Sequence, residues 1–195
     1  MPKVSEEYKK NRRAEIIAAA RECFSKNGYQ KTSMSEIIAA SNLSAGAIYN
    51  HFESKHEIML AAAELDYAPF EKIKADTPWD YVLGCLKVLD APKLRRFLLI
   101  TWGEAVTDRE LAAVVSTQLQ TLRDLALERY RRWAIDTLGA QEEQLDAFLD
   151  STGAAILSVL TGYTVQTQLL AGAKSEQARE AYLSYALATL DLSGE

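Results

Sequence analysis

Two cysteines, four prolines and nine glycines are few for a chain of 195 residues. Cys23 and Cys85 cannot build a disulfide framework and lack metal-ligand spacing, so the expectation is a reducing compartment and no metal centre. Sparse glycine and proline, with no run of alternating β-branched residues, disfavour a β-sandwich or barrel. The opening residues, Met1-Pro2-Lys3-Val4-Ser5-Glu6-Glu7, have no apolar stretch, so no secretory leader is expected. No nucleophile–base pairing and no phosphate-cradling glycine loop stands out, which leaves catalysis and a bound cofactor without support. One stretch lacks charge entirely: the 23 residues from Ser151 to Ala173 are long enough to cross a bilayer. They also contain Gln166, Gln168 and a series of Ser, Thr and Tyr residues, which suits a helix buried among protein helices better than one in lipid. The expectation is a cytoplasmic protein with no membrane partner.

What is present is ordinary for a globular chain: 48% hydrophobic and 25% charged residues, and a net charge of −5. The charge is uneven. Residues 1–60 carry nine Lys and Arg against seven Asp and Glu, net +2, whereas residues 61–195 carry 13 against 20, net −7. Five of the basic residues, Lys3, Lys9, Lys10, Arg12 and Arg13, fall within the first 13 positions. A basic head on an acidic body points to an anion-binding segment joined to a part with another task.

Periodicity and capping signals give an all-α chain of about nine helices. Apolar residues at helical spacing predict a helix from Asn11 to Asn27, stopped by Gly28. Ser33-Met34-Ser35-Glu36 is a capping box before a short helix. Asn42 suits the left-handed turn that follows, and Ser44 caps another short helix through Phe52. Ser54–Glu57 and Thr107–Glu110 read as two more capping boxes, opening helices to about Ala75 and to Leu138. Thr77-Pro78 and Pro92 mark the starts of two helices between them. Gln141–Leu170 and a last helix from about Ser175 to Leu192 complete the set. Short helix, tight turn, short helix, packed on a first helix, is a helix-turn-helix. Ile37, Leu43, Ile48 and Phe52 would hold it together, leaving Ser44, Ala45, Gly46, Ala47, Tyr49, Asn50 and His51 facing outward. A face of small and hydrogen-bonding groups fits a major groove about 12 Å wide.

The runs Gly28-Tyr29-Gln30-Lys31-Thr32-Ser33-Met34-Ser35-Glu36-Ile37 and Leu43-Ser44-Ala45-Gly46-Ala47-Ile48-Tyr49-Asn50-His51-Phe52-Glu53-Ser54-Lys55 resemble the DNA-binding head of TetR-family transcriptional regulators. The likeness covers about residues 10–60. Ile38 and Asn42 stand where that family usually has alanine and glycine, and Ala45 where a polar or basic residue is common. The resemblance implies a homodimeric regulator, most often a repressor, that binds a palindromic double-stranded operator and leaves it when a small molecule enters the body. It also implies phosphate-contacting positions at Ser33, Tyr49, His51 and Lys55, and base-facing positions at Ser35, Ala45, Ala47 and Asn50. The chemistry suits those roles, since an asparagine amide pairs with adenine and an alanine methyl packs on thymine.

The expected division is a DNA-binding head at residues 1–54 and a ligand-binding and dimerisation body at 55–195. Aromatic and polar residues spaced along the body helices form the candidate pocket for a mostly apolar or aromatic effector: Trp79, Leu86, Phe97, Thr101, Trp102, Gln118, Leu122, Tyr130, Trp133, Leu149, Thr152 and Ile156. An ordinary core has the same composition. The small-residue stripe Ser151, Ala155, Ser158, Gly162 and Val165, with Tyr182, Tyr185, Ala186 and Thr189, is the candidate dimer face. A helical small-molecule carrier without a DNA role, and a transcriptional activator, are the alternative readings.

Overall fold

The computed structural model describes residues 5–65 and 67–170, together with Gln177, Glu180, Ala181, Tyr182 and Ser184. Among these residues there are nine α-helices and no strand. The first, α1 (Glu6–Asn27), begins where Ser5 Oγ accepts from the Tyr8 N–H at 3.2 Å, and it ends at Gly28, whose φ of 80° only glycine adopts readily. It therefore starts five residues before Asn11, where periodicity placed it. Its first half is polar all round, and only Ile16, Ile17, Ala20 and Phe24 are buried, so hydrophobic spacing is silent about that half.

Helices α2 (Met34–Ser41) and α3 (Ala45–Tyr49) follow the sequence signals closely. The Ser33–Glu36 capping box is complete, Asn42 is left-handed at φ 56°, and Ser44 Oγ accepts from the Ala47 N–H at 3.2 Å. Each such cap is worth about 1 kcal/mol. Next comes α4 (Lys55–Leu65), with Ser54 Oγ accepting from the Glu57 N–H at 3.1 Å. It does not run to Ala75. Pro69 sits in the first turn of a separate helix, α5 (Ala68–Glu71), and proline clashes with the carbonyl four residues back, so one continuous helix is excluded there.

Four longer helices complete the described chain: α6 (Pro78–Leu89), α7 (Pro92–Ala105), α8 (Arg109–Leu138) and α9 (Glu142–Leu169). Thr77 caps α6 as expected. The cap of α8 is Asp108 rather than Thr107: its Oδ1 accepts from the Leu111 N–H at 3.0 Å. Glu110, the would-be partner of Thr107, is instead 3.0 Å from His56 Nε2. The expected last helix lies mostly outside the described residues, although Gln177, Glu180, Ala181, Tyr182 and Ser184 are helical. No helix among the described residues is long and apolar enough to cross a membrane.

The chain divides into two compact units, Met1–Asp66 with Arg96–Ser116, and Tyr67–Arg95 with Thr117–Glu195. The first has one core: Ile16, Phe24, Ile37, Ile48, Phe52, Ile58 and Met59 pack with Phe97 and Leu111. In the second, α6 packs on α9, and Tyr130, Ala134, Leu145 and Leu149 form a further buried cluster.

Candidate nucleic-acid interface

Within the first unit, one buried residue seats the second short helix. Ile48 is fully buried, while Ser44, Ala45, Gly46, Tyr49 and Asn50 are exposed and Ala47 and His51 half-buried. The turn before it is set by Asn42 and by Ser41, whose hydroxyl accepts from the Leu43 N–H at 3.2 Å. The helix end is held from α1. Arg13 donates to the His51 carbonyl at 3.1 Å, and its guanidinium lies 4.0 Å from the centre of the buried Phe52 ring. The exposed surface is thus carried on a stiff support.

That surface faces a concavity of about 560 Å³ lined by Asn42, Leu43, Ser44, Ala47, Asn50 and His51, and on the α1 side by Tyr8, Lys9 and Arg12. Sequence reading leaves out these last three as site residues, although the basic run at residues 3–13 is the signal that contains two of them. Lys9 pairs with Glu6 at 2.9 Å and Arg12 with Glu15 at 2.6 Å. Arg12 also stacks on Tyr8, and hydrogen bonding with Tyr8 and Glu15 raises its already high pKa. Both cations sit at exposed i,i+3 pairs, which hold little energy and yield easily to a phosphate.

Ser33 and Ser35 lie exposed at the start of α2. Ser33 is committed locally: its hydroxyl accepts from Glu36 N–H, and Glu36 in turn accepts from the Ser33 N–H at 2.7 Å. That N–H, aided by the Ser33 hydroxyl, holds the Glu36 carboxyl below its usual range. Lys55 is half-buried, and its Nζ donates to the carbonyls of Tyr29 at 2.8 Å, Gln30 at 3.5 Å and Thr32 at 2.8 Å.

The candidate effector residues divide between the units. Phe97, Thr101 and Trp102 belong to the first, where Phe97 packs 6.4 Å from the Phe24 ring and under Arg21. Thr101 returns its hydroxyl to the Phe97 carbonyl at 2.9 Å, while the buried Trp102 Nε1 has no partner among the described residues. Leu86, Gln118, Leu122, Tyr130, Trp133, Leu149, Thr152 and Ile156 belong to the second unit, all buried except the half-buried Gln118 and Trp133. The Trp79 side chain lies outside the described ones. Sequence reading also leaves out Tyr81 and Cys85, both fully buried on α6; burial raises the Tyr81 phenol and pushes the Cys85 thiol up to about 12.

On α9, Ser158 and Val165 are exposed and Ala155 and Gly162 half-buried. Tyr182 packs on Tyr163 with ring centres 5.4 Å apart, and its hydroxyl donates to the Val159 carbonyl at 2.6 Å. A methyl group on Gly162 would stand 3.0 Å from that hydroxyl, so the absent side chain admits the tyrosine. The side chain of Ser151 and residues Tyr185, Ala186 and Thr189 lie outside the described ones.

Residues 16–62 match the model of the bacterial regulatory proteins of the tetR family. The chain is 32% identical over 135 residues to the HTH-type transcriptional repressor Rv1474c of Mycobacterium tuberculosis, covering 62% of this chain and 71% of that repressor. Its fold is similar to that of Salmonella enterica GusR, with a TM-score of 0.72 at 21% identity and 96% of each chain covered. It is also similar to the SmeT–triclosan complex, with a TM-score of 0.66 at 26% identity, covering 92% of this chain and 91% of that one. With residues 16–62 matched and a repressor 32% identical over 71% of its length, the chain belongs to the tetR family of bacterial regulatory proteins.

Proposed function

We propose that this regulator is a repressor that binds a palindromic operator as a homodimer and is released by a small, mostly apolar effector held in its body. The observation that carries the reading is the largely exposed tract Ser44–His51, seated by the buried Ile48, held at its end by Arg13 and facing Lys9 and Arg12 across one cleft. Ser35, Ala45, Ala47 and Asn50 meet base edges, and Gly46 lets the backbone approach. Ser33, Tyr49 and His51, joined by Lys9 and Arg12, meet phosphates. A helix of five residues reads few base pairs, so two copies are required, about 34–36 Å apart on successive major-groove faces. The face of α9 with Ser158, Val165 and the exposed Leu169 is where the second copy packs.

The repressor named above supports the sign of regulation, and the triclosan complex supports an apolar, aromatic effector. Release by an effector obeys linkage: a ligand that weakens DNA binding 100-fold is itself bound 100-fold more weakly by the DNA complex, a coupling of about 2.7 kcal/mol. The test is footprinting on the DNA flanking the gene, with light scattering on the same preparation. Protection of a palindrome by a dimer supports the proposal, and Asn50→Ala is expected to cost about 1–3 kcal/mol on that site. Equal affinity for the palindrome and for random duplex rejects it.

A further inference from the structure

The structure assigns to Lys55 the role of a positioning residue that clamps the segment before the helix-turn-helix, rather than that of a phosphate contact. The inference rests on the DNA-binding reading and refines how that site is held. An ammonium group has three N–H donors, and here three backbone carbonyls surround it: Tyr29 at 2.8 Å, Thr32 at 2.8 Å and Gln30 at 3.5 Å. The same Nζ lies 4.4 Å from the centre of the Tyr29 ring. The carbonyls belong to one short segment, residues 29–32, between the stop of α1 at Gly28 and the cap of α2 at Ser33. Its other anchors lie on α1 and α7: the buried Thr32 returns its hydroxyl to the Gly28 carbonyl at 2.8 Å and the Cys23 carbonyl at 3.3 Å, the Tyr29 ring packs on Phe24, and Gln30 reaches Glu104 at 2.6 Å. Among the described residues, Lys55 alone hydrogen-bonds the segment to α4.

Lys55 is the first residue of α4, so its bonds fix the start of α2 against the start of α4. The two helices that present the DNA face lie between those two points in the chain. Moving Nζ to a phosphate would take this donor from the Gln30 and Thr32 carbonyls, leave the Tyr29 carbonyl with the Thr32 N–H at 3.2 Å as its remaining donor, and uncover the Tyr29 ring. A phosphate contact made by an exposed lysine has no such cost. The partners also select the residue type, because the planar guanidinium fork of arginine matches a phosphate better than it matches three converging carbonyls.

The experiment compares wild type with Lys55→Arg, Lys55→Gln and Lys55→Ala, using a random-sequence duplex across a salt series and hydrogen exchange on the protein without DNA. The clamp predicts that all three substitutions speed exchange of the amides at residues 29–33 by tenfold or more, with arginine failing to rescue. It predicts an unchanged slope of log affinity against log salt, with weaker binding at every salt concentration. A phosphate contact predicts instead a slope smaller by about one unit in the glutamine and alanine variants, near-normal binding by the arginine variant, and unaltered exchange. That second pattern overturns the assignment. Should wild type bind no duplex at all, the DNA-binding proposal fails, and the exchange data alone decide the clamp: unaltered exchange in Lys55→Gln refutes it. Lys55→Gln serves where the alanine variant does not fold.

Discussion

In the first unit, long side chains reach across the chain to single named acceptors: Arg13 to His51, Lys55 to Tyr29 and Thr32, Gln30 to Glu104, Arg96 to the Ser25 carbonyl at 3.3 Å. In the second, such bonds include pairs between exposed charged side chains, Arg123 with Asp150 at 2.7 Å and Arg131 with Asp146 at 2.6 Å, while Thr161, Thr164 and Thr167 spend their hydroxyls on carbonyls of their own helix. There the Arg95 Nε has no hydrogen-bond partner among the described residues, nor does the Tyr81 hydroxyl, which lies beside the Cys85 thiol. Directional bonds specify one arrangement, whereas burial of apolar area specifies only that the space is filled. A surface that must match a DNA groove requires the first kind of support.

The largest test of this contrast is Phe97→Ala. Phe97 lies outside the chain segment of the head yet sits in its core against Phe24 and Arg21. Its truncation is expected to cost about 3–5 kcal/mol in urea unfolding. A loss below about 1 kcal/mol, with effector affinity reduced instead, would return Phe97 to the effector set where sequence reading placed it.

A pair of glycines gives opposite signs. A methyl at Gly153 would stand 2.6 Å from Arg123 Nε and 3.0 Å from Leu127 Cδ1, so Gly153→Ala is expected to destabilise by about 1–3 kcal/mol. A methyl at Gly46 meets nothing within 4 Å, and Gly46→Ala is expected to stabilise by up to about 1 kcal/mol through helix propensity. Thermal unfolding of both variants distinguishes a filled interior from an open reading surface.

How much of this was legible beforehand follows the same division. As caps and turn, Ser33, Glu36, Asn42 and Ser44 act through neighbours within four positions, so those roles are written in local spacing, and the structure has each cap and the turn as read. His56 is different. It lies 3.2 Å from Asp108 and 3.0 Å from Glu110, partners more than fifty positions away that no local pattern reveals. Glu110 is thereby taken from Thr107, which is why the cap of α8 moved by one residue. In the body, apolar spacing marked which residues are buried, as Leu122, Tyr130, Leu149 and Ile156 are. It does not say which of them line a cavity, because core and pocket lining obey the same burial energetics.

Smaller effects sharpen the comparison further. Ser33→Ala is expected to cost about 1 kcal/mol through the lost cap. Because Glu36 is held below its usual pKa by the Ser33 N–H, its contribution is present above the ordinary carboxylate range and lost as pH falls through the lowered value. Melting curves from pH 7 downwards are expected to show this loss in wild type and a weaker one in Glu36→Gln. The two cysteines report on the interior of each unit. Burial raises both thiols, but Cys23 is half-buried and Cys85 fully so, its pKa near 12. Iodoacetamide at pH 8 is expected to label Cys23 well before Cys85; equal rates would mean that the second unit opens as readily as the first is exposed.

In the five-residue helix at Ala45–Tyr49 the one buried side chain is Ile48, while Ala45, Gly46 and Tyr49 are exposed and Ala47 half-buried. Folding and addressing are therefore written at different positions of the same short element. On the proposed reading, substitutions at Ala45 or Ala47 are expected to alter the operator that is read at little cost to the fold. On the same reading, a lineage that keeps Ile48, Asn42 and the Ser44 cap is able to acquire new targets by single substitutions, and a designer is able to do the same.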